Sequence, residues 1–300
     1  MAAAFASCTP EAPPLRTDFA IAPPLAEGGL ELAMPEIVVE PGQDVTWCYV
    51  PDFVPAEDFI VKRGFAYQGG SGHHMAVYRS GIPRTPGELF DCTNLQTMVS
   101  MLPLVIPDVP TIETRIMPDG FGVRVPAGSS IVLQTHLINA DVEAVRVKDL
   151  LQLELAAADE ALTEASYWVI SDNELILPEG PSSVTKSCNI TEETKLVFQL
   201  GHMHEFGKKM RVTRTRGDVT DTIYEVEAWT AEYRDQGPTT SYPADEPLVF
   251  LPGDRIDLTC EWENATGAEI RWPKEMCVTL GAYFPARGGG FIDCDTAFGE

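Results

Sequence analysis

Basic side chains are scarce in this sequence. Among its 300 residues, 21 are Lys or Arg and 45 are Asp or Glu, which gives a formal net charge of −24. A surface of this charge repels polyphosphates and anionic lipids at long range, so we expect no nucleic-acid partner. Hydrophobic residues make up 44% and charged residues only 22%. This composition excludes an intrinsically disordered chain and allows a sizeable core.

Long apolar runs and nucleotide-binding motifs are also missing. The longest apolar stretches, around 101–109 and 150–158, are interrupted by proline or charge and fall far below the roughly 18 residues of a membrane span. We therefore expect no membrane span. No glycine-rich phosphate loop, dinucleotide fingerprint or Ser-centred nucleophile elbow occurs, so nucleotide and flavin chemistry gain no support.

The seven cysteines include no CxxC pair, which removes the usual support for a zinc ribbon or a thioredoxin-like site. Six of them could form three bridges, which favours an extracytoplasmic location: secreted, periplasmic or lipoprotein. Cys8 stands apart and ends a run like that of a bacterial lipoprotein signal, but without a basic n-region. A lipid anchor at Cys8, a truncated start and a chance match stay open. We interpret residues 1–30 as an exported or tether segment.

Helical periodicity is nearly absent from Glu36 onward. Short alternating segments separated by Pro, Gly, Asn and Asp are typical of a β-sandwich or barrel. The stretch Leu155–Ala165 is rich in Ala and Glu and predicts a helical connector, although a strand over Leu150–Leu155 could instead open a second domain. We place the domain boundary near residue 145.

The five histidines are grouped along the chain. In the segment 196–204, the strand period of two puts Phe198, Leu200, His202 and His204 on one face. Two imidazoles at the end of an apolar stripe form the minimal geometry of a chelate.

A second group combines an adjacent pair with a distant histidine. His73 and His74 cannot converge from a regular strand, but three glycines within 69–72 give the backbone freedom to bend. In the segment 131–138, strand parity places Gln134 and His136 on one face, so His136 is available as a third ligand.

Nitrogen ligands alone do not choose between zinc, copper, iron and nickel. The sequence has no Glu at cupin spacing after His202 and His204, and no HExxH helix. A soft thioether ligand would indicate copper. Of nine methionines, Met276 is the strongest candidate, because Cys277 follows it and could be tethered to Cys260.

Four motifs occur in an order that resembles the copper type II, ascorbate-dependent monooxygenases. These motifs are Gly72-His73-His74-Met75, Gln134-Thr135-His136, His202-Met203-His204-Glu205-Phe206-Gly207 and Glu275-Met276-Cys277. That family includes peptidylglycine α-hydroxylating monooxygenase and dopamine β-monooxygenase. The resemblance covers about Glu36 to Cys294 and uses every histidine in the chain.

The resemblance implies an all-β chain of two tandem antiparallel, jelly-roll-like β-sandwich domains, over 31–145 and 146–300, with one copper each. His73, His74 and His136 would bind the electron-supplying copper, and His202, His204 and Met276 the oxygen-activating copper. Gln134 would take part in the transfer route between the coppers, or make an ordinary strand hydrogen bond. The implied disulfides are Cys48–Cys92, Cys188–Cys294 and Cys260–Cys277.

The implied activity is hydroxylation of a C–H bond of a small organic substrate with dioxygen and ascorbate, or a similar reductant. Three residues depart from the peptidylglycine branch: Leu200, Val278 and Leu280 stand where that branch has polar substrate contacts. We therefore expect a less polar substrate than a peptide C-terminus. The alternative hypothesis is a non-catalytic, extracytoplasmic copper-binding or copper-trafficking protein. A zinc hydrolase is disfavoured, because no general base stands at a recognisable zinc spacing.

Overall fold

The chain folds almost entirely into β-strands. The computed structural model describes residues 15–93, 101–105, 113–114, 117–157, 159–234, 237–272, 274–287 and 291–293. Within these ranges there are 26 strands, one short 3-10 helix at Ala231–Arg234 and no α-helix. The prediction of an all-β fold is confirmed. No helix in the described ranges has the length and hydrophobicity needed to cross a membrane.

The first fourteen strands build three sheets. They are β1 (Arg16–Phe19), β2 (Leu30–Ala33), β3 (Ile37–Val39), β4 (Asp44–Tyr49), β5 (Phe59–Tyr67), β6 (Gly72–Ser80), β7 (Leu89–Asp91), β8 (Met101–Val105), β9 (Glu113–Thr114), β10 (Phe121–Val125), β11 (Ser130–Ile138), β12 (Val145–Lys148), β13 (Leu150–Leu155) and β14 (Thr163–Glu164). The sheet orders are β1-β12-β3, β14-β10-β5-β13-β2 with β9 beside β5, and β7-β4-β11-β6-β8.

The remaining strands build three further sheets. They are β15 (Ser166–Ser171), β16 (Ile176–Leu177), β17 (Gly180–Asn189), β18 (Thr194–His202), β19 (Gly207–Arg216), β20 (Val219–Val226), β21 (Thr239–Ser241), β22 (Leu248–Phe250), β23 (Arg255–Asn264), β24 (Ile270–Arg271), β25 (Val278–Phe284) and β26 (Phe291–Asp293). The orders are β21-β18-β25-β15-β26 with β22 beside β18, β17-β23-β19-β20, and β16-β24. Most pairs are antiparallel; β1–β12, β10–β14 and β15–β26 are parallel.

The predicted helical connector over Leu155–Ala165 is wrong. Among the described residues of this stretch, Leu155 ends β13 and Thr163–Glu164 forms β14. The amides of Ala156, Thr163 and Ala165 donate to carbonyls of neighbouring segments instead of to the preceding turn. Strand pairing has overridden a local helix propensity, which is worth only a few tenths of a kcal/mol per residue.

Strands on both sides of residue 145 belong to the first group of sheets. The strand β12 pairs with β1 and β3, and β13 pairs with β2 and β5. The strand β14 pairs with β10, so pairing with the first half of the chain continues to Glu164.

The buried apolar side chains form two large cores and a small cluster around the Cys48–Cys92 bridge. The first is formed by side chains such as Val61, Val77, Leu133 and Leu151, and Phe198 and Ala282 of the second half join it. The second core contains Trp168, Val212, Trp262 and Tyr283. Each fully buried large apolar side chain stabilises the fold by about 1.5–3 kcal/mol relative to an exposed one. Because the first core includes strands β18 and β25, the two halves are packed together.

Two of the three implied disulfides are present, Cys48–Cys92 and Cys260–Cys277. Cys188 is also disulfide-bonded. Cys294, its predicted partner, lies outside the described residues, as does Cys8. Disulfides of this kind form in oxidising compartments, in agreement with an extracytoplasmic location.

A buried carboxylate in the turn before β23 leads to a stability prediction. Asp254 is 2% exposed, and its two oxygens accept hydrogen bonds of 2.7 Å from the Arg216 guanidinium. These bonds lower the pKa of Asp254 below its ordinary value, so the pair stabilises the fold above about pH 4 and the contribution is lost as the pH falls through the lowered pKa. We expect Asp254→Asn to lower the free energy of unfolding by about 1–3 kcal/mol at pH 7 and by much less at pH 3.

Urea unfolding at the two pH values measures this difference. The exposed turn residue Asp218 provides the control, because Asp218→Asn removes the same charge without a buried partner. An equal effect of Asp254→Asn at both pH values would contradict the assignment.

Candidate functional site

A β-bulge brings His73 and His74 together. Residue His136 of β11 faces His74 of β6, but its neighbour Leu137 faces Gly72, so His73 is the extra residue in the ladder. A bulge redirects one side chain and lets two successive side chains point the same way, which a regular strand forbids. His73, His74 and His136 form what we call the first cluster.

The glycines before this bulge act by their size. None of Gly69, Gly70 and Gly72 has a positive φ, contrary to the expected use of their backbone freedom. A Cβ at Gly72 would lie 2.3 Å from the Cβ of Gln68, and one at Gly69 would lie 2.6 Å from the carbonyl oxygen of Asp18. The chain therefore needs glycine here for close approach of neighbouring segments.

The first cluster has the spacing of a metal site. The candidate ligand atoms of the three histidines lie within 4.8 Å of one another, and the Nδ1 atoms of His73 and His74 are 3.2 Å apart. Two imidazole nitrogens bound to one ion at about 2.0 Å, near the tetrahedral angle, are about 3.3 Å apart. The ring centroids of His73 and His74 lie 4.8 and 4.9 Å from that of His136.

Asp44 fixes the orientation of His136. The Nε2 atom of His136 lies 2.6 Å from the Asp44 carboxylate, and Asp44 is on the neighbouring strand β4. A carboxylate bound to one ring nitrogen leaves the other nitrogen for a metal and increases its basicity. Asp44 therefore favours the Nδ1 atom of His136 as the ligand.

A buried network supports the other side of the first cluster. The Gln68 amide donates to the carbonyl oxygen of His74 at 3.3 Å, to Thr135 Oγ1 at 3.0 Å and to Asp149 Oδ2 at 3.1 Å. Thr135 also donates to Asp149. Burial raises the pKa of Asp149. This network holds the backbone on both sides of the bulge.

His202 follows the apolar stripe that the sequence predicted. Phe198 and Leu200 pack against the first core, whereas Leu196 and Met203 belong to the second core. The face of β18 that carries Leu200 is therefore turned toward the first half of the chain. Since side chains alternate along a strand, His202 lies on this same face.

His202 and His204, the second cluster, meet through their Nε2 atoms. These atoms are 3.1 Å apart, again a spacing that fits two ligands of one ion. The Nδ1 atom of His204 lies 3.0 Å from the carbonyl oxygen of Lys274. Because a carbonyl only accepts, Nδ1 carries the proton and the neutral ring presents the lone pair of Nε2.

Met276 is held beside the second cluster by its backbone. Strand β18 pairs with β25 up to His202 opposite Val278, and Met276 precedes Val278 by two residues. The Oε1 atom of Glu275 accepts hydrogen bonds from the backbone amides of both His204 and Met276. The Cys260–Cys277 disulfide fixes the next residue. Binding of an ion by the half-buried thioether of Met276 stays a prediction.

Burial keeps the key imidazoles neutral. It lowers the pKa of His74 to about 3, with smaller contributions from the charges of neighbouring His136, His73, His202 and Arg234. Burial likewise lowers the pKa of His202 to about 3, and the charges of His204 and Arg234 lower it further by smaller amounts. Burial also lowers the pKa of His136, although Asp44 opposes this shift. Neutral imidazole is the form that binds a metal ion.

The two clusters come from different halves of the chain, the first from β6 and β11 and the second from the end of β18 and the residues that follow it. His202 is near enough to His74 for its charge to lower the pKa of that ring. The structure therefore brings together residues that are more than a hundred positions apart in the sequence.

Gln134 points along the same face as His136 but contacts other groups. Its Oε1 atom accepts a hydrogen bond of 3.3 Å from the Tyr78 hydroxyl, and its Nε2 atom lies 3.8 Å from Cys92 Sγ. Leu133 and Leu137 lie on the opposite face in the first core, as strand parity predicted. A part for Gln134 in electron transfer stays a prediction.

No protein-family model and no curated protein matches this chain. Among solved structures, it is similar to Sulfolobus Turreted Icosahedral Virus, with 12% identity, a TM-score of 0.25 and coverage of 86% of this chain. The chain spans 60% of the length of that protein. A putative secreted protein from Eubacterium rectale is 10% identical, with a TM-score of 0.23 and coverage of 80% of this chain and 69% of that one.

Sequence reasoning missed three groups that orient the histidines: Asp44, the Lys274 carbonyl and Glu275. Asp44 and Lys274 carry no sequence signal, since each acts through a partner distant in the chain. Glu275 precedes Met276 and Cys277 within a motif already singled out, and this position was the available clue.

Proposed function

We propose that this protein is a copper-dependent monooxygenase. It hydroxylates a C–H bond of a small organic molecule with dioxygen and an external one-electron donor such as ascorbate. The observation that carries the proposal is the presence of two separate imidazole clusters, whose candidate ligand nitrogens are 3.2 and 3.1 Å apart.

The chemistry of the donor atoms favours copper. Imidazole suits several transition metals, whereas the thioether of Met276 is a soft ligand that favours Cu(I). When bound, copper would supply one-electron transfer at the first cluster and dioxygen chemistry at the second. In this assignment His73, His74 and His136 would hold the ion that delivers electrons. His202, His204 and Met276 would hold the ion near the substrate.

The remaining residues orient and shield these ligands. Asp44 and the Lys274 carbonyl each bind one nitrogen of a ring and leave the other for the ion. The partial burial of His74 and His202 and the burial of His136 limit contact with water and favour the unprotonated rings. Leu200 and Leu280 form an apolar cross-strand pair, and neither can anchor a carboxylate, which supports a less polar substrate than a peptide C-terminus.

Copper stoichiometry combined with ascorbate-dependent oxygen uptake tests this proposal. We expect two copper ions in the wild type, and one in each of His74→Ala and His202→Ala, because each substitution removes a ligand from one cluster only. Both variants should lose oxygen uptake, since the reaction requires both ions. Hydroxylated products are then sought among small aromatic and aliphatic compounds.

Other outcomes separate the alternatives. Two bound copper ions without oxygen uptake would favour a copper-binding or copper-trafficking protein. Zinc bound in preference to Cu(I), or a single copper in the wild type, would contradict the monooxygenase.

A further inference from the structure

Glu275 is a fully buried carboxylate beside the second cluster. Its exposure is 0%, and its partners are three backbone amides. Oε1 accepts from the amides of His204 and Met276, the latter at 3.0 Å, and Oε2 accepts from the amide of Phe206 at 3.0 Å. Both oxygens act as acceptors, which is the pattern of an ionised carboxylate.

These bonds connect the chain segments that carry the predicted ligands. His204 and Phe206 lie between β18 and β19, and Met276 lies just before β25. The preceding residue, Lys274, accepts the hydrogen bond of the His204 ring through its carbonyl oxygen. Residues 274 and 275 therefore fix both the backbone position and the ring orientation of His204, and one carboxylate oxygen links His204 to Met276.

The charge of Glu275 also lacks a cationic partner in the described part of the chain. No ion pair to this carboxylate occurs there, and the two imidazoles beside it can supply lone pairs but no charge. A buried ion is costly unless hydrogen bonds and an opposite charge compensate it. Three amides provide the hydrogen bonds, and a cation bound to His202 and His204 would provide the charge.

We infer that Glu275 is a positioning residue of the second cluster, which holds His204 and Met276 at a fixed spacing and stabilises a bound cation with its buried negative charge. This inference deepens the proposed function and depends on it. Because its role is toward the ion, it is tested first by metal binding to the full chain and not by turnover.

The test compares Glu275→Gln with Glu263→Gln. The change at Glu275 keeps the shape of the side chain but removes the charge and replaces one acceptor oxygen by a donor, whereas the side chain of Glu263 is exposed on β23. Copper is titrated into the metal-free proteins. We expect the affinity of the second cluster to fall at least tenfold in Glu275→Gln, in the range of substitutions that disturb the partners of metal ligands. The first cluster, which reports on correct folding, should keep its affinity, and Glu263→Gln should match the wild type.

The reduction potential of the second copper separates a positioning role from a merely structural one. Loss of a nearby buried negative charge should raise this potential, because the charge stabilises Cu(II) more than Cu(I). Glu275→Asp keeps the charge on a shorter side chain, so it should preserve the potential more closely than Glu275→Gln does.

The outcomes distinguish this inference from the proposed function. A wild type that binds no copper at His202 and His204 would overturn both. A wild type with two copper ions, combined with a Glu275→Gln variant of unchanged second-site affinity and potential, would overturn the role of Glu275 alone. An equal loss of affinity at both clusters would also overturn it, since the effect would then be general unfolding.

Discussion

Met276→Ile is expected to abolish ascorbate-dependent oxygen uptake while one copper ion per chain remains bound at the first cluster. The backbone amides of Met276 and His204 both donate to the Oε1 atom of Glu275, which holds the backbone of Met276 beside the second cluster. Isoleucine has a similar volume and no sulfur, and such apolar exchanges cost less than about 1.5 kcal/mol of stability. The loss of activity would therefore report the missing thioether ligand. Oxygen electrode measurements and copper analysis of the same preparation test this result.

A buried methionine outside both clusters provides the control. Met34 is 1% exposed in the first core, and Met34→Ile makes the same chemical change there. We expect it to keep two copper ions and oxygen uptake. Oxygen uptake that persists in Met276→Ile would show that the thioether is not needed, and the assignment of the second copper would fail.

The second large effect is expected from removal of the Cys260–Cys277 disulfide. This bridge spans 17 residues and joins β23 to the residue that follows Met276. The chain-entropy model predicts about 3 kcal/mol for a loop of this length, so replacing both cysteines by alanine should lower the free energy of unfolding by about 2–4 kcal/mol. We also expect copper affinity at the second cluster to fall at least tenfold, because the position of Met276 is less restricted.

The Cys48–Cys92 bridge provides a matched comparison in the other half. It spans 44 residues, and the same model predicts about 4 kcal/mol for it. Its removal should therefore destabilise the fold at least as much without affecting the second cluster. Chemical denaturation and copper titration of the two double-alanine variants measure both effects. If the two variants lose second-site affinity equally, the bridge at Cys277 has no specific effect on Met276.

Much of the fold follows from short-range patterns in the sequence. The alternation in 131–138 placed Leu133 and Leu137 on the face opposite His136, and the structure has this arrangement. The stripe of Phe198 and Leu200 was likewise predicted from the strand period. Such patterns succeed because a side chain of a half-buried strand has only two possible directions.

The arrangement within the clusters depends on pairing between distant strands, which a single sequence does not encode locally. The bulge at His73 arises from the register of β6 against β11, and the glycines alone did not reveal it. The helix predicted for the Ala- and Glu-rich stretch after Leu155 is wrong for the same reason, because the amides of this stretch bond to neighbouring segments. The contacts by which Asp44 and the Lys274 carbonyl orient the histidines also join residues that are distant in the sequence.

The packing between the halves has a consequence for how this protein can evolve. Phe198, Leu200 and His202 share one strand face, so the apolar packing between the two halves and the position of His202 depend on the same strand. Exchanging a large for a small side chain at Phe198 would therefore alter the position of His202 as well as the stability. Substitutions on this strand face are thus constrained twice, by the core and by the position of the imidazole.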